Sequence, residues 1–341
     1  MTIKDVAKRA GVGIATVSRT LNGSPQVSPE TAARVLKVIE ELGYRPNSTA
    51  QSLVSGRSHM LGLVVSDITN PFFPELVQGF EDVAVENGYD VLVASTNYDP
   101  GRTAQCVHRM IERKIDGVAI MTSEMDPSLA DTFARRKVPL VFLDVGRVGK
   151  GVSNVKVDYS VGIDQAVEHL SGLGHRRIAF ISGPSQLASA RERRDAFLRR
   201  LDDPCFPRRA ILIEEGNHKV AGGLEAMLRL LDHEPRPTAI IASNDLTAIG
   251  AMRAIRQRGL RVPEDISVVG FDDIQMAQFT EPPLTTVRLL RTEVARLACD
   301  ALMHSIATHG AGVEFRMCTS LVVRCSTAKA FTPQDGVRPI R

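Results

Sequence analysis

The feature that most constrains the fold is a repeated alternation of short apolar runs and helical stretches, which begins near Met60. The runs are almost continuously apolar, which is typical of strands buried on both faces of a parallel sheet. They form two sets, first LGLVVS, YDVLVAS, DGVAIMT and PLVFLD, then RIAFISG, AILIEEG, TAIIASN and ISVVGFD. We therefore predict an α/β core of two lobes, each a parallel sheet flanked by helices.

The first 45 residues have a different pattern, that of three short helices with tight joins. Capping and breaking residues set their predicted limits at Thr2 to Gly11, Ile14 to Asn22 and Ser28 to Gly43. Pro29 stands at the first position of the third helix, where its missing N–H does no harm. The apolar stripe of that helix is predicted to comprise Ala32, Val35, Leu36, Ile39 and Leu42.

The positive charge of the chain is concentrated in this N-terminal part. The whole chain has a net charge of +3, yet residues 1–58 alone hold eight Lys and Arg residues against four Asp and Glu residues. A small basic module of this kind is expected to face nucleic acid. Many helical domains are mildly basic, so the charge supports this interpretation without establishing it.

The second helix exposes a surface suited to the major groove of DNA. If Val17 and Leu21 face the small core, then Ile14, Ala15 and Arg19 face outward, as in the second helix of a helix-turn-helix. Arg19 can bond guanine O6 and N7 together, which is worth about 1–3 kcal/mol of discrimination. Ile14 and Ala15 can contact thymine methyl groups. The alternative for Ile14 is packing against the core.

Several polar residues nearby can donate hydrogen bonds to phosphates and so fix the register on DNA. They are Thr16, Ser18, Asn22, Ser28, Thr31 and Tyr44. Ser28 and Thr31 could instead serve only as helix-capping residues.

Other patterns exclude several classes of protein. The five cysteines are dispersed without a C-x-x-C pair, so free thiols are expected and neither a metal site nor a cofactor is predicted. No apolar run has the length of a membrane span, and the N-terminus lacks the apolar core of a leader. We therefore expect a cytoplasmic protein.

Two glycine-containing segments could suggest a nucleotide site, but neither has the required context. Gly11-x-Gly13 follows a helix rather than a strand, and Gly146 to Lys150 lacks P-loop spacing, so neither predicts a nucleotide site.

Seven longer segments stand in a fixed order between Thr2 and about Ala328, namely TIKDVAKRAGVGIATVSRTLNG, VSPETAARVLKVIEELGYRPNSTAQSL, LGLVVSDITNPFFPELVQGFE, GHRRIAFISGP, SNDLTAIGAM, GLRVPEDISVVGFDD and PPLTTV. In this order they resemble the lactose-repressor (LacI/GalR) family of bacterial transcription regulators. The resemblance implies a helix-turn-helix headpiece at 1–45 and a hinge helix or linker at 46–58. A two-lobed, periplasmic-binding-protein-like core for effector binding and dimerisation follows at 59–330, and a tail at 331–341.

For DNA binding, the resemblance implies a homodimer on a near-palindromic operator, with Ile14, Ala15 and Arg19 reading bases. It also implies that Asn47 caps the hinge helix and contacts phosphate, and that Leu53 is a wedge in the minor groove. An ordinary linker contact is the alternative for Leu53. Most members carry Ser or Thr where Gly13 stands, so one phosphate contact through a hydroxyl is lost.

For the core, the resemblance implies an effector site at the carboxyl ends of the strands, where open α/β sheets bind ligands. The implied contacts are Phe73, Asp144, Arg193, His218, Asn244, Asp245 and Asp272. From the residues alone, Phe72 or Phe73 can also stack on the apolar face of the ligand. The acids could instead be helix N-caps, Arg193 a solvated charge, and the two phenylalanines part of a dimer interface. We expect a repressor whose operator affinity is controlled allosterically by a small molecule, most simply a sugar or sugar derivative.

Two other functions are less consistent with the sequence. A solute-binding protein shares the two-lobed core but needs a secretory leader and no basic headpiece. A carbohydrate-metabolising enzyme needs catalytic residues, yet the adjacent Asp272 and Asp273 would point to opposite faces of an extended segment, and neither a G-x-S-x-G nor an H-E-x-x-H motif is present. We therefore expect no enzymatic activity.

Overall fold

The computed structural model describes residues 1–21, 23–44, 57–122, 133, 135–144, 148–201, 212–308 and 310–330. The chain divides into two compact units, Met1–His59 and Met60–Arg341, and each is considered by itself. The predicted site residues Asn22, Asn47 and Leu53 lie outside the described residues, as do most of the predicted hinge and the tail from 331 onward.

The first unit contains three helices, α1 (Ile3–Ala10), α2 (Ile14–Leu21) and α3 (Pro29–Leu42). The backbone N–H of Thr2 donates to Oδ2 of Asp5 at 2.8 Å, which holds the first turn of α1 and lowers the pKa of Asp5. Gly11 and Gly43 end α1 and α3 in the left-handed region, with φ of 67° and 56°, where a residue with a Cβ is strained.

The small core of this unit consists of Val6, Ala7, Ala10, Val17, Val35 and Val38. The prediction for α3 is wrong at Leu36, which is 52% exposed, while Val38 is buried in its place. Each residue of an α-helix is rotated by about 100° from the one before, so Leu36 and Val38 lie on opposite sides of Val35. Val38 belongs to the buried cluster that α3 forms with α1 and α2, whereas Leu36 does not.

The second unit contains two six-stranded sheets, one in each lobe. The first comprises β1 (Met60–Val65), β2 (Asp90–Ser95), β3 (Gly117–Met121), β4 (Leu140–Leu143), β5 (Val152–Asp158) and β11 (Glu314–Cys318). The second comprises β6 (Ile178–Ser182), β7 (Leu212–Glu215), β8 (Ala239–Ala242), β9 (Ser267–Asp272), β10 (Thr285–Arg288) and β12 (Ser320–Val322). The orders are β11-β5-β4-β3-β1-β2 and β12-β10-β9-β8-β6-β7. All pairings are parallel except that of β12 with β10, which confirms the predicted α/β architecture.

Helices cover both sheets. The first lobe holds α4 (Phe72–Glu86), α5 (Pro100–Glu112) and α10 (Arg291–Thr308), and the second holds α6 (Tyr159–Gly172), α7 (Ala188–Leu201), α8 (Val220–Leu231) and α9 (Asp245–Gln257). The chain passes between the lobes three times, from β5 to α6, from β10 to α10 and from β11 to β12. None of the helices in the described ranges is both long and apolar enough to cross a bilayer.

Candidate functional site

A cleft with about 590 Å³ of empty space lies where the carboxyl ends of strands from both lobes meet. Seven of the eight residues predicted to contact an effector line it, namely Phe72, Phe73, Asp144, Arg193, His218, Asn244 and Asp272.

Arg193 projects from α7 into the cleft and is only 6% exposed, so it is not a solvated surface charge. Its Nη1 donates to the carbonyl oxygen of Ser243 at 2.6 Å. Its Cζ lies 4.1 Å from the ring centroid of Phe271 and 4.7 Å from that of Tyr159, within the range of cation–π contacts. These contacts hold the guanidinium in one orientation.

Asp272 ends β9 and faces Arg193. Burial raises the pKa of Asp272 to about 6, against the opposing charges of Arg193 and Arg291. Its Oδ1 is 3.6 Å from Nη2 of Arg193, an ion pair too long for a hydrogen bond. Nε of Arg193 and Oδ1 of Asp272 are both buried without a hydrogen-bond partner. Buried polar atoms normally have partners, so these two are an unmatched donor and an unmatched acceptor in the wall of the cleft.

Asp144 follows β4 on the side of the first lobe. Its Oδ1 accepts a hydrogen bond from the N–H of Val157 at 2.8 Å, and its Oδ2 accepts one from the hydroxyl of Tyr159. Its side chain is 2% exposed, and burial raises its pKa although both hydrogen bonds oppose the shift.

His218 forms part of the wall in the second lobe. Its Nε2 lies 2.9 Å from Oγ of Ser243. Burial, and then the charge of Arg193, lower the pKa of His218 to about 3, so the imidazole is neutral near pH 7. Its carbonyl oxygen accepts from Nδ2 of Asn244 at 3.0 Å. Oδ1 of Asn244 accepts from the N–H of Thr247, so Asn244 caps α9 while it lines the cleft.

Three residues of the cleft have left-handed backbone conformations that are rare outside glycine. The φ values are 64° at Asp144, 60° at His218 and 103° at Asp272. Each such residue costs about 1–3 kcal/mol, and such residues cluster where a ligand must be held.

Asp245 does not line the cleft, which contradicts our prediction of direct effector contact. It is fully buried, and its Oδ2 accepts from the N–H of Ile274 at 2.8 Å while its Oδ1 accepts from the hydroxyl of Thr286. As the first residue of α9, Asp245 directs its side chain beneath the ends of β9 and β10 rather than into the opening. Its role in the described structure is to hold these segments together.

Phe72 and Phe73 begin α4 and are each 7% exposed. Their ring centroids are 5.1 Å apart in an edge-to-face arrangement, and both rings line the cleft. Among the lining residues that sequence reasoning missed are Asn70, Tyr98, Tyr159 and Ser189. Tyr159 follows directly after β5, so recognition of that strand would have found it.

The headpiece places the predicted base-reading residues on one exposed surface. Ile14 is 45% exposed, and Ala15 and Arg19 are also exposed on α2. Ile14 therefore does not pack inward. Thr16 and Ser18 are half-buried beside them.

The other predicted phosphate contacts have structural roles as well. Oγ of Ser28 accepts from the N–H of Thr31 at 3.3 Å and donates to Oγ1 of Thr31 at 2.9 Å, so the capping alternative is realised at this turn. Tyr44 is half-buried and packs against the small core.

Comparison with known proteins agrees with this organisation. A sequence model of the bacterial regulatory proteins of the lacI family matches residues 2–47, and a model of the periplasmic binding protein-like domain matches residues 167–327. The chain is 34% identical over 311 residues to the ribose operon repressor of Escherichia coli K12, which covers 89% of this chain and 93% of that protein.

Two solved structures extend the comparison across the whole fold. The lac repressor dimer bound to operator and the anti-inducer ONPF matches with a TM-score of 0.86 and 31% identity, over 96% of this chain and 99% of that one. A complex of the transcriptional regulator CelR with cellobiose matches with a TM-score of 0.71 and 32% identity, over the same shares of the two chains.

Proposed function

Since the chain belongs to the lacI family of bacterial regulatory proteins, it is a DNA-binding transcriptional regulator with a ligand-binding core, and we propose how its residues divide these tasks. α2 enters the major groove of a near-palindromic operator, and Ile14, Ala15 and Arg19 read bases. Support comes from their common exposure on one face of α2. Thr16, Ser18, Ser28, Thr31 and Tyr44 contact phosphates, together with Asn22 and Asn47, and Leu53 is the minor-groove wedge of a hinge helix.

The effector site is the cleft between the lobes. The observation that carries this proposal is the buried pair of Arg193 and Asp272, in which Nε and Oδ1 have no hydrogen-bond partner. A hydroxyl can accept from Arg193 and donate to Asp272, so neighbouring hydroxyls of a sugar satisfy both atoms. Phe72 and Phe73 offer apolar surface to the faces of a sugar ring.

A sugar fits the charges of the cleft better than a sugar phosphate does. Among the described lining residues, Arg193 is the only Lys or Arg, and its charge already faces Asp272 and the Ser243 carbonyl. A phosphate would have to approach Asp272 and Asp144 without a free cation. The ribose repressor and the cellobiose complex among the relatives make D-ribose and cellobiose the first compounds to test.

Effector binding controls operator binding by shifting the arrangement of the two lobes. The coupling free energy in such systems is about 1–3 kcal/mol, or a 5- to 150-fold change in operator affinity. The ribose operon repressor and the lac repressor named above are repressors, and repression is the role we propose here.

A thermal-shift screen of the full chain with D-ribose, cellobiose and D-ribose 5-phosphate tests the effector site. We expect one of the free sugars to raise the melting temperature, D-ribose 5-phosphate to leave it unchanged, and Arg193→Lys to abolish the rise. Arg258→Lys is the matched control, because Arg258 forms an exposed ion pair with Asp232. If the sugar raised the melting temperature equally in both variants, it would bind at a site other than this cleft.

A further inference from the structure

Tyr159 lies at the junction between the two lobes. It is the first residue of α6, directly after β5, where the chain makes its first passage from one lobe to the other. It is 3% exposed and lines the cleft. A buried side chain at this position can contact groups of both lobes.

The hydroxyl of Tyr159 fixes an acid of the first lobe. It donates to Oδ2 of Asp144, while the N–H of Val157 donates to Oδ1 at 2.8 Å. Burial raises the pKa of the Tyr159 phenol well above its usual value, so the hydroxyl keeps its proton and remains the donor. Both oxygens of Asp144 are thus held by the segment that leads into the second lobe.

The ring of Tyr159 supports a cation of the second lobe. Cζ of Arg193 lies 4.7 Å from the centroid of this ring, and the guanidinium is tied to its own lobe by the carbonyl of Ser243 at 2.6 Å. The Tyr159 ring also lies 5.8 Å from that of Phe271, at the end of β9. One side chain therefore joins Asp144 to Arg193.

A second bridge runs parallel to this one but is exposed. Nζ of Lys156 on β5 lies 2.6 Å from Oε1 of Glu192 on α7 and 3.9 Å from Oδ1 of Asp144. The side chains of Lys156 and Glu192 are 35% and 40% exposed, and ion pairs of this kind contribute little in water. The buried contacts of Tyr159 therefore carry more of the connection between the lobes.

We propose that Tyr159 is a positioning residue that sets Asp144 of one lobe and Arg193 of the other in a single geometry and transmits effector binding to the passage between the lobes. The inference rests on the proposed effector site. An effector that moves Arg193 or Asp144 must move Tyr159 or break one of its two contacts. Packed side chains favour a few discrete arrangements over a continuous range. Such a change therefore switches the two lobes from one arrangement to another.

The test uses Tyr159→Phe in the full chain, which removes the hydroxyl and keeps the ring. Amide hydrogen exchange without any sugar is the first readout, because the Val157 amide donates to the carboxylate that Tyr159 holds. We expect exchange at Val157 to become about tenfold faster, with no change in the β8 amides, since local opening changes while the sheet does not. Tyr89→Phe, at another buried tyrosine, should leave Val157 unchanged.

The second readout separates binding from coupling. With D-ribose as the probe, at a concentration that saturates each variant, we expect the sugar-induced change in operator affinity to fall by about fivefold or more. A purely structural role predicts uniformly faster exchange and an unchanged coupling ratio, which would overturn the proposal. Unchanged exchange at Val157 would also overturn it. If D-ribose has no effect on the unsubstituted protein, the choice of this sugar fails, and the exchange readout alone still decides the role of Tyr159.

Discussion

The ring of His218 packs directly against the backbone of Gly183, so that a Cβ atom placed on Gly183 would lie 1.9 Å from Nε2 of the imidazole. The same nitrogen is 2.9 Å from Oγ of Ser243. Because Gly183 has no side chain, the His218 ring can occupy this position in the wall of the cleft.

Gly183→Ala should displace the His218 ring and weaken sugar binding. The ring must move by more than an ångström to relieve the clash, and misplaced site groups of this kind reduce binding by about tenfold or more. Titration calorimetry of the full chain with the sugar from the screen measures the loss. Gly172→Ala is the control, because nothing lies within 4 Å of a Cβ at that position. Similar affinities in the two variants would show that His218 does not shape the site.

The pH dependence of stability should report the burial of Asp272. Its pKa is raised from 3.8 to about 6, so the folded protein holds a proton over this range that the unfolded chain has released. The stability that this group contributes is therefore present below pH 3.8 and lost as the pH rises through about 6. A shift of two units corresponds to about 3 kcal/mol at most.

Asp272→Asn removes this titration. We expect its unfolding free energy, relative to that of the unsubstituted protein, to rise by about 1–3 kcal/mol between pH 4 and pH 7. Urea unfolding of the core at several pH values measures the difference. Asp232→Asn, at an exposed position, should show no such trend. A constant difference for Asp272→Asn would mean that Asp272 titrates alike in both states.

Val38 and Leu36 of α3 form a matched pair for testing the headpiece. Val38 is 8% exposed and Leu36 is 52% exposed. Truncation of Val38 to Ala should destabilise the headpiece by about 1–2 kcal/mol, which speeds amide exchange in α1 by about 5- to 30-fold. Leu36→Ala should change stability by less than about 0.5 kcal/mol. If Leu36→Ala were the more destabilising of the two substitutions, Leu36 would belong to the buried face of α3, as predicted from the sequence.

Arg19 should supply sequence discrimination on DNA. We expect Arg19→Ala to weaken binding to the operator by about 10- to 100-fold, because it removes a bidentate contact to guanine. Salt-dependent binding to unrelated DNA, which depends on phosphate contacts, should remain nearly intact. Fluorescence anisotropy with both DNAs at several salt concentrations measures this. Equal weakening on both would reassign Arg19 to a phosphate.

The sequence predicted the strands that form nearly continuous apolar runs, and it missed β5 and β10, in which polar residues are buried among the apolar ones. β5 contains Asn154, which is 2% exposed, and β10, with the sequence TTVR, includes Thr285 and Thr286, which are fully buried. The N–H of Thr285 donates to Oγ of Ser326, far along the chain. The hydrogen-bond partner of a buried polar group can therefore lie far away in the sequence, and local periodicity contains no information about such a partner.

The same difference between recognised and missed strands decided which residues of the cleft were predictable. Asp144 and Asn244 follow recognised strands and Asp272 ends one, so their positions at the sheet edge were predictable, whereas Tyr159 follows the missed strand β5. Asp245 stands next to Asn244, yet its carboxylate turns toward Ile274 and Thr286. The direction of a side chain in the first turn of a helix depends on tertiary packing, which sequence spacing does not specify.

The most direct test of the account is the operator affinity of the full chain with and without a saturating sugar that binds the core. The account predicts a change of about 5- to 150-fold in the unsubstituted protein, and no change in Arg193→Ala, whose cleft has lost the donor. If such a sugar left operator affinity the same in the unsubstituted protein, binding in the cleft and binding of DNA would be independent, and the central claim would be contradicted.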